Sequence, residues 1–157
     1  MWEALRRFNA LEPRARGLFL RATALLPVIS LGLRLRGFRV TQMGLQRYLP
    51  DMEIAAASPQ SNERARSVAY TARAVKSAAY RSIGKATCLE KSLALWWLLG
   101  RQGIPSSVRI GTRKVGEKFE AHAWVEFEGV ALNELEEPHL HYAAFDEALT
   151  AIPPRVL

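Results

Sequence analysis

The chain has 157 residues, a length typical of one domain, and 49% of them are hydrophobic, enough for one buried core. Its formal net charge is +7, but residues 1–87 hold 15 basic and 5 acidic side chains, whereas residues 88–157 hold 7 and 10. This composition excludes a collagen-like or disulfide-stapled chain, and a single cysteine is typical of a protein from a reducing compartment.

The first part of the chain is arginine-rich and helical in pattern. Helices are predicted over four stretches: 3–11, 14–26, 28–36 and 41–48. Pro27 is expected to end or kink the second of them. The longest uncharged run, 22–33, has 12 residues, fewer than the roughly 20 that span a bilayer. We therefore expect a cytoplasmic protein, and loose contact of this segment with the inner membrane surface stays open.

The basic half of the chain favours an acidic partner, although a solvated arginine-rich helical surface explains the charge equally well. The sequence contains no zinc-ligand spacing, no RNA-binding aromatic signature and no Gly-rich phosphate loop. We therefore expect no binding to nucleic acid.

A linker is predicted over 50–61, where prolines, serines and a run of alanines interrupt the helical pattern. We accordingly divide the chain into a helical, basic N-terminal region, 1–60, and a second domain, 61–157. The second domain begins with a helix predicted over 62–80, in which alanines recur at three- and four-residue steps.

The next helix is the most apolar part of the sequence. Thr87 and Glu90 have the spacing of a capping box, which predicts a helix start at Thr87. The run 89–99 is almost wholly apolar, too much so for a surface helix, and it should lie in the core. Gly103 ends it, and Pro105 prevents its restart.

Strands follow. Period-two alternation predicts strands over 106–113 and 119–127, and a third strand returns over 130–133 after a turn. A short helix is predicted over 143–149. Together these elements indicate an α+β fold in which the apolar helix packs on a small antiparallel sheet, preceded by the helical N-terminal region.

Cys88 is the candidate nucleophile. With Thr87 as the N-cap, Cys88 is the first residue of its helix, where free amides and the positive end of the helix dipole favour the thiolate. His122 is the candidate base, because it lies in the middle of a strand beside Trp124, on the face opposite to the alternating apolar residues.

Two histidines remain. His139 and His141 lie in a proline-containing loop and are expected at the surface. A His-x-His pair with no further ligand nearby does not make a metal site. The sequence thus predicts neither a metal nor a cofactor.

A third residue should orient the imidazole, and hairpin register decides between two candidates. A two-residue turn places Asn133 diagonally on the face of His122, whereas a three-residue loop places Glu134 directly opposite it. A slip by one residue exchanges the two. Gly129 at the end of a three-residue bulged loop favours Glu134.

The order of cysteine at a helix start, histidine on a strand and an acid or amide on the next strand resembles the transglutaminase-like peptidases of lasso-peptide biosynthesis. The resemblance covers roughly 80–135. It is carried by five segments: Ala86-Thr87-Cys88-Leu89-Glu90, Gly103-Ile104-Pro105, Ile110-Gly111, His122-Ala123-Trp124-Val125-Glu126 and Gly129.

The resemblance implies a papain/transglutaminase-like core and a cysteine peptidase with the triad Cys88, His122 and Glu134, where the family usually has Asp in the third place. Such enzymes remove the leader from a ribosomally made lasso-peptide precursor, upstream of an ATP-dependent cyclase. A separate leader-recognition protein delivers the precursor, and the cyclase is a further candidate partner.

Two other classes of function stay open. A degenerate transglutaminase-like domain could hold a peptide without cutting it. An amidase or transglutaminase would use the same thiol but pass the acyl group to a different acceptor, and sequence does not separate water from an amine in that role.

Overall fold

The computed structural model describes Arg6 and residues 12–50, 61–82, 84–133, 142–144 and 149–150. Apart from the helical Arg6, these residues form three helices followed by five strands. They are α1 (Pro13–Gln46), α2 (Ser61–Arg81), α3 (Cys88–Gly100), β1 (Ser107–Val115), β2 (Lys118–Phe127), β3 (Val130–Ala131), β4 (Ala143–Ala144) and β5 (Leu149–Thr150).

Helix α1 confirms the helix predicted over 14–26, but it does not stop or break at Pro27. Proline removes the hydrogen bond to the carbonyl four residues earlier, that of Thr23. Both residues are exposed, so water can satisfy that carbonyl and the helix continues. The predicted end at Pro27 is therefore wrong, and the alternative of a kink there stays a prediction. The helix predicted over 3–11 and the linker residues 51–60 lie outside the described residues, apart from Arg6.

The break in α1 lies at Gly37 instead, with φ 75° and ψ 179°. Beyond it the chain turns back on the first helical piece, since a Cβ at Gly32 would lie 2.9 Å from the Thr41 hydroxyl oxygen. The same hydroxyl donates to the Gly37 carbonyl at 2.8 Å. A glycine was needed because this backbone conformation is essentially closed to other residues.

Helices α2 and α3 lie close to their predicted bounds of 62–80 and 89–99. The side chains of α3 are buried along most of its length, as its uniform hydrophobicity predicted. Helix α3 contacts both other helices and the strands β1 and β2. It is the central element of the fold.

The strands form one antiparallel sheet in the order β3-β2-β1-β4, with β5 also paired to β1. The two long strands confirm the predicted alternation, and the α+β class with a small antiparallel sheet is the architecture observed. Strand β3 ends at Ala131 rather than at 133. The helix predicted over 143–149 is wrong at residues 143, 144 and 149, because β4 and β5 pair with the other edge of β1. Residues 145–148 lie outside the described residues. Those pairings join distant segments and leave no local sequence pattern.

The core is shared by all three helices and the sheet. Leu26 and Ile29 of α1 belong to the same buried cluster as Leu95 of α3 and Val108 and Val125 of the central strands. The division of the chain at residue 60 stays a prediction, but α1 is packed into the core of the rest.

We expect Gly37→Ala to destabilise the fold by about 1–3 kcal/mol, because alanine does not adopt this backbone conformation without strain. Gly44→Ala is the matched control. It lies in a helical, exposed part of α1 with no atom within 4 Å of an added Cβ, and should stabilise by up to about 1 kcal/mol. Urea unfolding measures both, and equal effects of the two substitutions would contradict the assignment of the break.

Candidate active site

Cys88 is the first residue of α3 and is half-buried. The predicted capping box is present: the Glu90 amide donates to the Thr87 hydroxyl at 3.2 Å, and the Thr87 amide donates to the Glu90 carboxylate at 2.7 Å. The Lys91 amide donates to the Thr87 carbonyl at 3.1 Å. In an α-helix each amide donates to the carbonyl four residues earlier, and the amides of Cys88 and Leu89 precede the first such bond. They have no acceptor within the helix and are therefore available as donors beside the thiol.

The Glu90 carboxylate connects this helix start to α1. Burial raises the pKa of Glu90, but hydrogen bonds from the Ser30 hydroxyl and from Thr87, together with the charge of Arg34, outweigh it and lower the pKa. Ser30 and Arg34 belong to α1. The first helix of the chain therefore packs beside the end of α3 that carries the cysteine. The positive charge of Arg34 also offsets the negative charge that Glu90 places near the thiol.

Ser92, one helical turn after Cys88, attaches α3 to the sheet. Its hydroxyl donates to the Ala123 carbonyl at 3.0 Å and accepts from the side-chain amide of Asn133 at 3.1 Å. The Asn133 side-chain oxygen in turn accepts from the Val125 amide at 2.8 Å. Ser92 is completely buried. A serine four residues after the cysteine and directly before the apolar run 93–99 was the signal that could have identified it.

Asn133 also explains the end of β3. The Leu132 amide donates to the Val125 carbonyl at 2.9 Å, which continues the ladder. The Val125 amide, however, bonds to the Asn133 side chain instead of the Leu132 carbonyl. A side-chain amide offers the same acceptor as a peptide group, so the backbone can leave the sheet here without an unpaired amide.

The β2–β3 hairpin has a two-residue turn, with Phe127 opposite Val130. Both turn residues have positive φ, 51° at Glu128 and 79° at Gly129, as a type I′ turn requires. The three-residue loop that favoured Glu134 is therefore wrong. The sequence predicted a turn at Glu128-Gly129, but positive φ at a glutamate is uncommon, so it did not decide the length of the turn. Glu134 itself lies outside the described residues, and its role stays a prediction.

His122 lies in the middle of β2, opposite Gly111, and is half-buried. Its ring stacks on Trp124 with a centroid separation of 6.4 Å and on Tyr142 at 5.1 Å. The guanidinium of Arg113 lies over the Tyr142 ring, 4.7 Å from its centroid. The imidazole is thus covered by two aromatic rings. Sequence reasoning named Trp124 but missed Tyr142, which no periodicity distinguishes.

Gly111 provides the space for this stack. A Cβ there would lie 3.0 Å from the Trp124 ring and 3.0 Å from the Ala143 carbonyl oxygen. The Trp124 side chain is completely buried, and its indole N–H donates to Glu126 at 3.2 Å. The ring beside His122 can therefore move little.

The structure brings the elements of Cys88 and His122 together through Ser92 and Ala123. Cys88 is four residues, about 6 Å along the helix axis, from Ser92, and His122 adjoins the carbonyl that Ser92 binds. The hydrogen bonds among the described residues do not include one between the thiol and the imidazole. Such contacts often form only with substrate bound, and the catalytic assignment stays a prediction.

The described residues do not meet the requirements of a metal site. Among the described residues, no group of three His, Cys, Asp or Glu side chains could hold a metal ion. His139 and His141 lie outside the described residues, so their predicted surface position is untested.

We expect Glu90→Gln to destabilise the protein by about 1 kcal/mol at pH 7, since it removes the charge of the capping box and its electrostatic attraction to Arg34. Because the pKa of Glu90 is lowered, its stabilisation is present above the ordinary value of 4.5 and is lost as the pH falls through the lowered value. The deficit should therefore shrink from pH 7 to pH 3.5 in urea unfolding. Glu117→Gln, in an exposed turn, is the control, and a pH-independent deficit would refute the assignment.

Asn133→Ala should cost about 1–3 kcal/mol, because it leaves the amide of the buried Val125 without a partner and removes the bond that the Ser92 oxygen accepts. The double variant with Ser92→Ala tests the connection. If both side chains act through one network, the double variant loses less stability than the sum of the two single losses. Strictly additive costs in chemical denaturation would show that the network carries no coupling.

A comparison with protein families supplies the identity of the fold. The family model described as the transglutaminase-like superfamily matches residues 32–145, more than half of the chain. Neither the curated proteins nor the solved structures contain a significant match. The match includes Cys88, His122 and Glu134, and it begins within α1. The chain belongs to the transglutaminase-like superfamily.

Proposed function

We propose that this protein is a cysteine peptidase that removes the leader from a ribosomally synthesised lasso-peptide precursor. The observation that carries the proposal is the place of the chain's only cysteine, at the capped start of the buried helix α3. A superfamily built on cysteine-dependent acyl transfer and peptidase chemistry supports the reaction class. The papain-like details of the core and the lasso-peptide substrate belong to the proposal.

The start of α3 supports two catalytic tasks. Its dipole and free amides favour a thiolate at Cys88. The same amides are donors that can stabilise the oxyanion formed when the thiolate attacks a carbonyl. Because the Glu90 amide is already bonded to Thr87, the amides of Cys88 and Leu89 are the ones assigned to this role.

The surroundings of His122 support its role as the base. Two stacked rings, those of Trp124 and Tyr142, hold the imidazole on a rigid strand and limit its contact with water. A general base works best when its orientation is fixed before the proton moves. The indole of Trp124 is itself fixed by Glu126.

Glu134 is proposed as the orienting residue. Both ends of the Asn133 side-chain amide are engaged, one by Val125 and the other by Ser92, which argues that Asn133 has a structural role. Glu134 follows it directly in the chain. Its carboxylate can accept the imidazole N–H, as the Asp of the family does.

The proposed reaction is acyl transfer to water. His122 takes the proton of the Cys88 thiol, and the sulfur attacks the scissile carbonyl carbon. The resulting tetrahedral oxyanion collapses as the C–N bond breaks, and His122 returns the proton to the leaving amine, which becomes the free N-terminus of the core peptide. Water, deprotonated by His122, then hydrolyses the thioester and restores the thiol.

The substrate and partners are proposed from the resemblance of the motif. A leader-recognition protein would present the precursor, and an ATP-dependent cyclase would consume the freed amine. These assignments place the enzyme in the cytoplasm.

We expect Cys88→Ala and His122→Ala to abolish cleavage of the cognate precursor while leaving the fold intact, and Glu134→Ala to lose less activity. Incubation with precursor, with and without the leader-recognition protein, is followed by mass spectrometry. His139→Ala is the matched histidine control and should cleave normally. Unchanged product from the Cys88→Ala protein would overturn the proposal.

Two measurements separate the competing functions. Rapid alkylation of Cys88 by iodoacetamide at pH 6 is expected of an activated thiol, because an ordinary thiol is almost wholly protonated there. Slow alkylation together with tight precursor binding would indicate a non-catalytic peptide-binding module. Product joined to an added amine, rather than hydrolysed, would indicate a transglutaminase or amidase.

A further inference from the structure

The outward face of α1 before Gly37 is apolar. Four large side chains on it, Leu20, Val28, Leu31 and Leu35, are 57%, 63%, 58% and 73% exposed, and Ala24 and Pro27 between them are exposed as well. With 3.6 residues per turn, these six positions lie within about 100° of the helix circumference and extend about 22 Å along it. We call this surface the α1 stripe.

The α1 stripe is bordered by arginines on both sides. Helical geometry places Arg21 along one border and Arg16 and Arg34 along the other. Residues 13–50 contain seven arginines and no acidic residue. An apolar stripe between two rows of cationic side chains is typical of helices that lie in a bilayer interface, where the long side chains reach up to the phosphates.

A groove beside the α1 stripe is also lined by apolar side chains and arginines. It has a volume of about 460 Å³ and lies between α1 and α3, where Leu25, Trp97 and Leu98 line it together with Arg21 and Arg101. Arg101 is held in place by a hydrogen bond from its guanidinium to the Tyr48 carbonyl at 2.8 Å. The groove thus combines an apolar lining with two cations.

The opposite face of α1 shows how the helix would meet a membrane. By length and composition α1 could cross a bilayer, and 22% of its most apolar stretch is buried in the protein. Leu18, Ala22, Leu26 and Ile29 provide that burial. A spanning helix would have to withdraw these side chains from the core, whereas a helix lying flat keeps them in place.

We propose that the α1 stripe docks this protein on an anionic lipid bilayer, with the helix parallel to the surface and the arginines against the phosphates. Charge complementarity favours this occupant over a second copy of the chain, because two α1 stripes packed together would oppose their arginines. The proposal concerns a surface outside the candidate active site and does not depend on the peptidase assignment.

Vesicle flotation of the full chain tests the proposal. We expect binding to vesicles containing about 30% phosphatidylglycerol in phosphatidylcholine and little binding to phosphatidylcholine alone. Binding should fall several-fold in about 0.5 M NaCl, because the Debye length becomes shorter than the distance between the arginine charges and the lipid phosphates. Equal binding to neutral vesicles, or none to anionic ones, overturns the proposal.

Variants locate the surface. Val28→Ser with Leu31→Ser should lower the bound fraction about tenfold or more, and Arg21→Glu should lower it several-fold. Phe119→Ser with Val130→Ser removes as many exposed apolar side chains from the sheet and should leave binding unchanged. Unchanged binding in the α1 variants would overturn the assignment.

Two outcomes would give the α1 stripe a different occupant and overturn the proposal. One is a dimer in sedimentation equilibrium that Val28→Ser with Leu31→Ser dissociates. The other is a complex with the purified leader-recognition protein that the same variant abolishes, while anionic vesicles fail to float the protein.

Discussion

The structure depends on the fixed start of α3. The capping box of Thr87 and Glu90 starts the helix at a defined residue, and Ser30 and Arg34 of α1 lie close enough to the Glu90 carboxylate to lower its pKa. Without these bonds the first turn of an isolated helix would fray, because its amides lack internal acceptors. Here the capped first turn fixes the position of Cys88 relative to the core. The N-terminal helix therefore contributes to the geometry of the candidate site although no residue of α1 belongs to the proposed triad.

The second attachment of α3 is polar and lies inside an apolar interface. Ser92 and Asn133 connect the helix to the edge of β2 through three hydrogen bonds. Each group in this network has a partner, which is the condition under which buried polar groups specify one arrangement instead of weakening it. Hydrophobic packing alone would allow the helix to slide along the sheet. The Ser92 bond to Ala123 sets the register between the element of the cysteine and that of the histidine.

The α1 helix has two apolar faces, and the structure assigns them different surroundings. One face completes the core with α2 and α3, and the other remains exposed between arginines. This division explains why the sequence of α1 is compatible both with a membrane segment and with a core helix. The proposed membrane surface and the proposed peptidase chemistry lie on separate parts of the protein, so that each can be tested without the other.

The sequence by itself determined the local features: the capping box, the apolar helix α3, the long hairpin of β1 and β2 and the candidate pair Cys88 and His122. Each follows from spacing within a few residues. Only the tertiary structure decided the break at Gly37, the two-residue turn after Phe127, the pairing of β4 and β5 with β1, and the Tyr142 ring on His122. The physical reason is that these features depend on contacts between distant segments, where the backbone adopts the conformation that packing requires and the local residues leave no periodic signal.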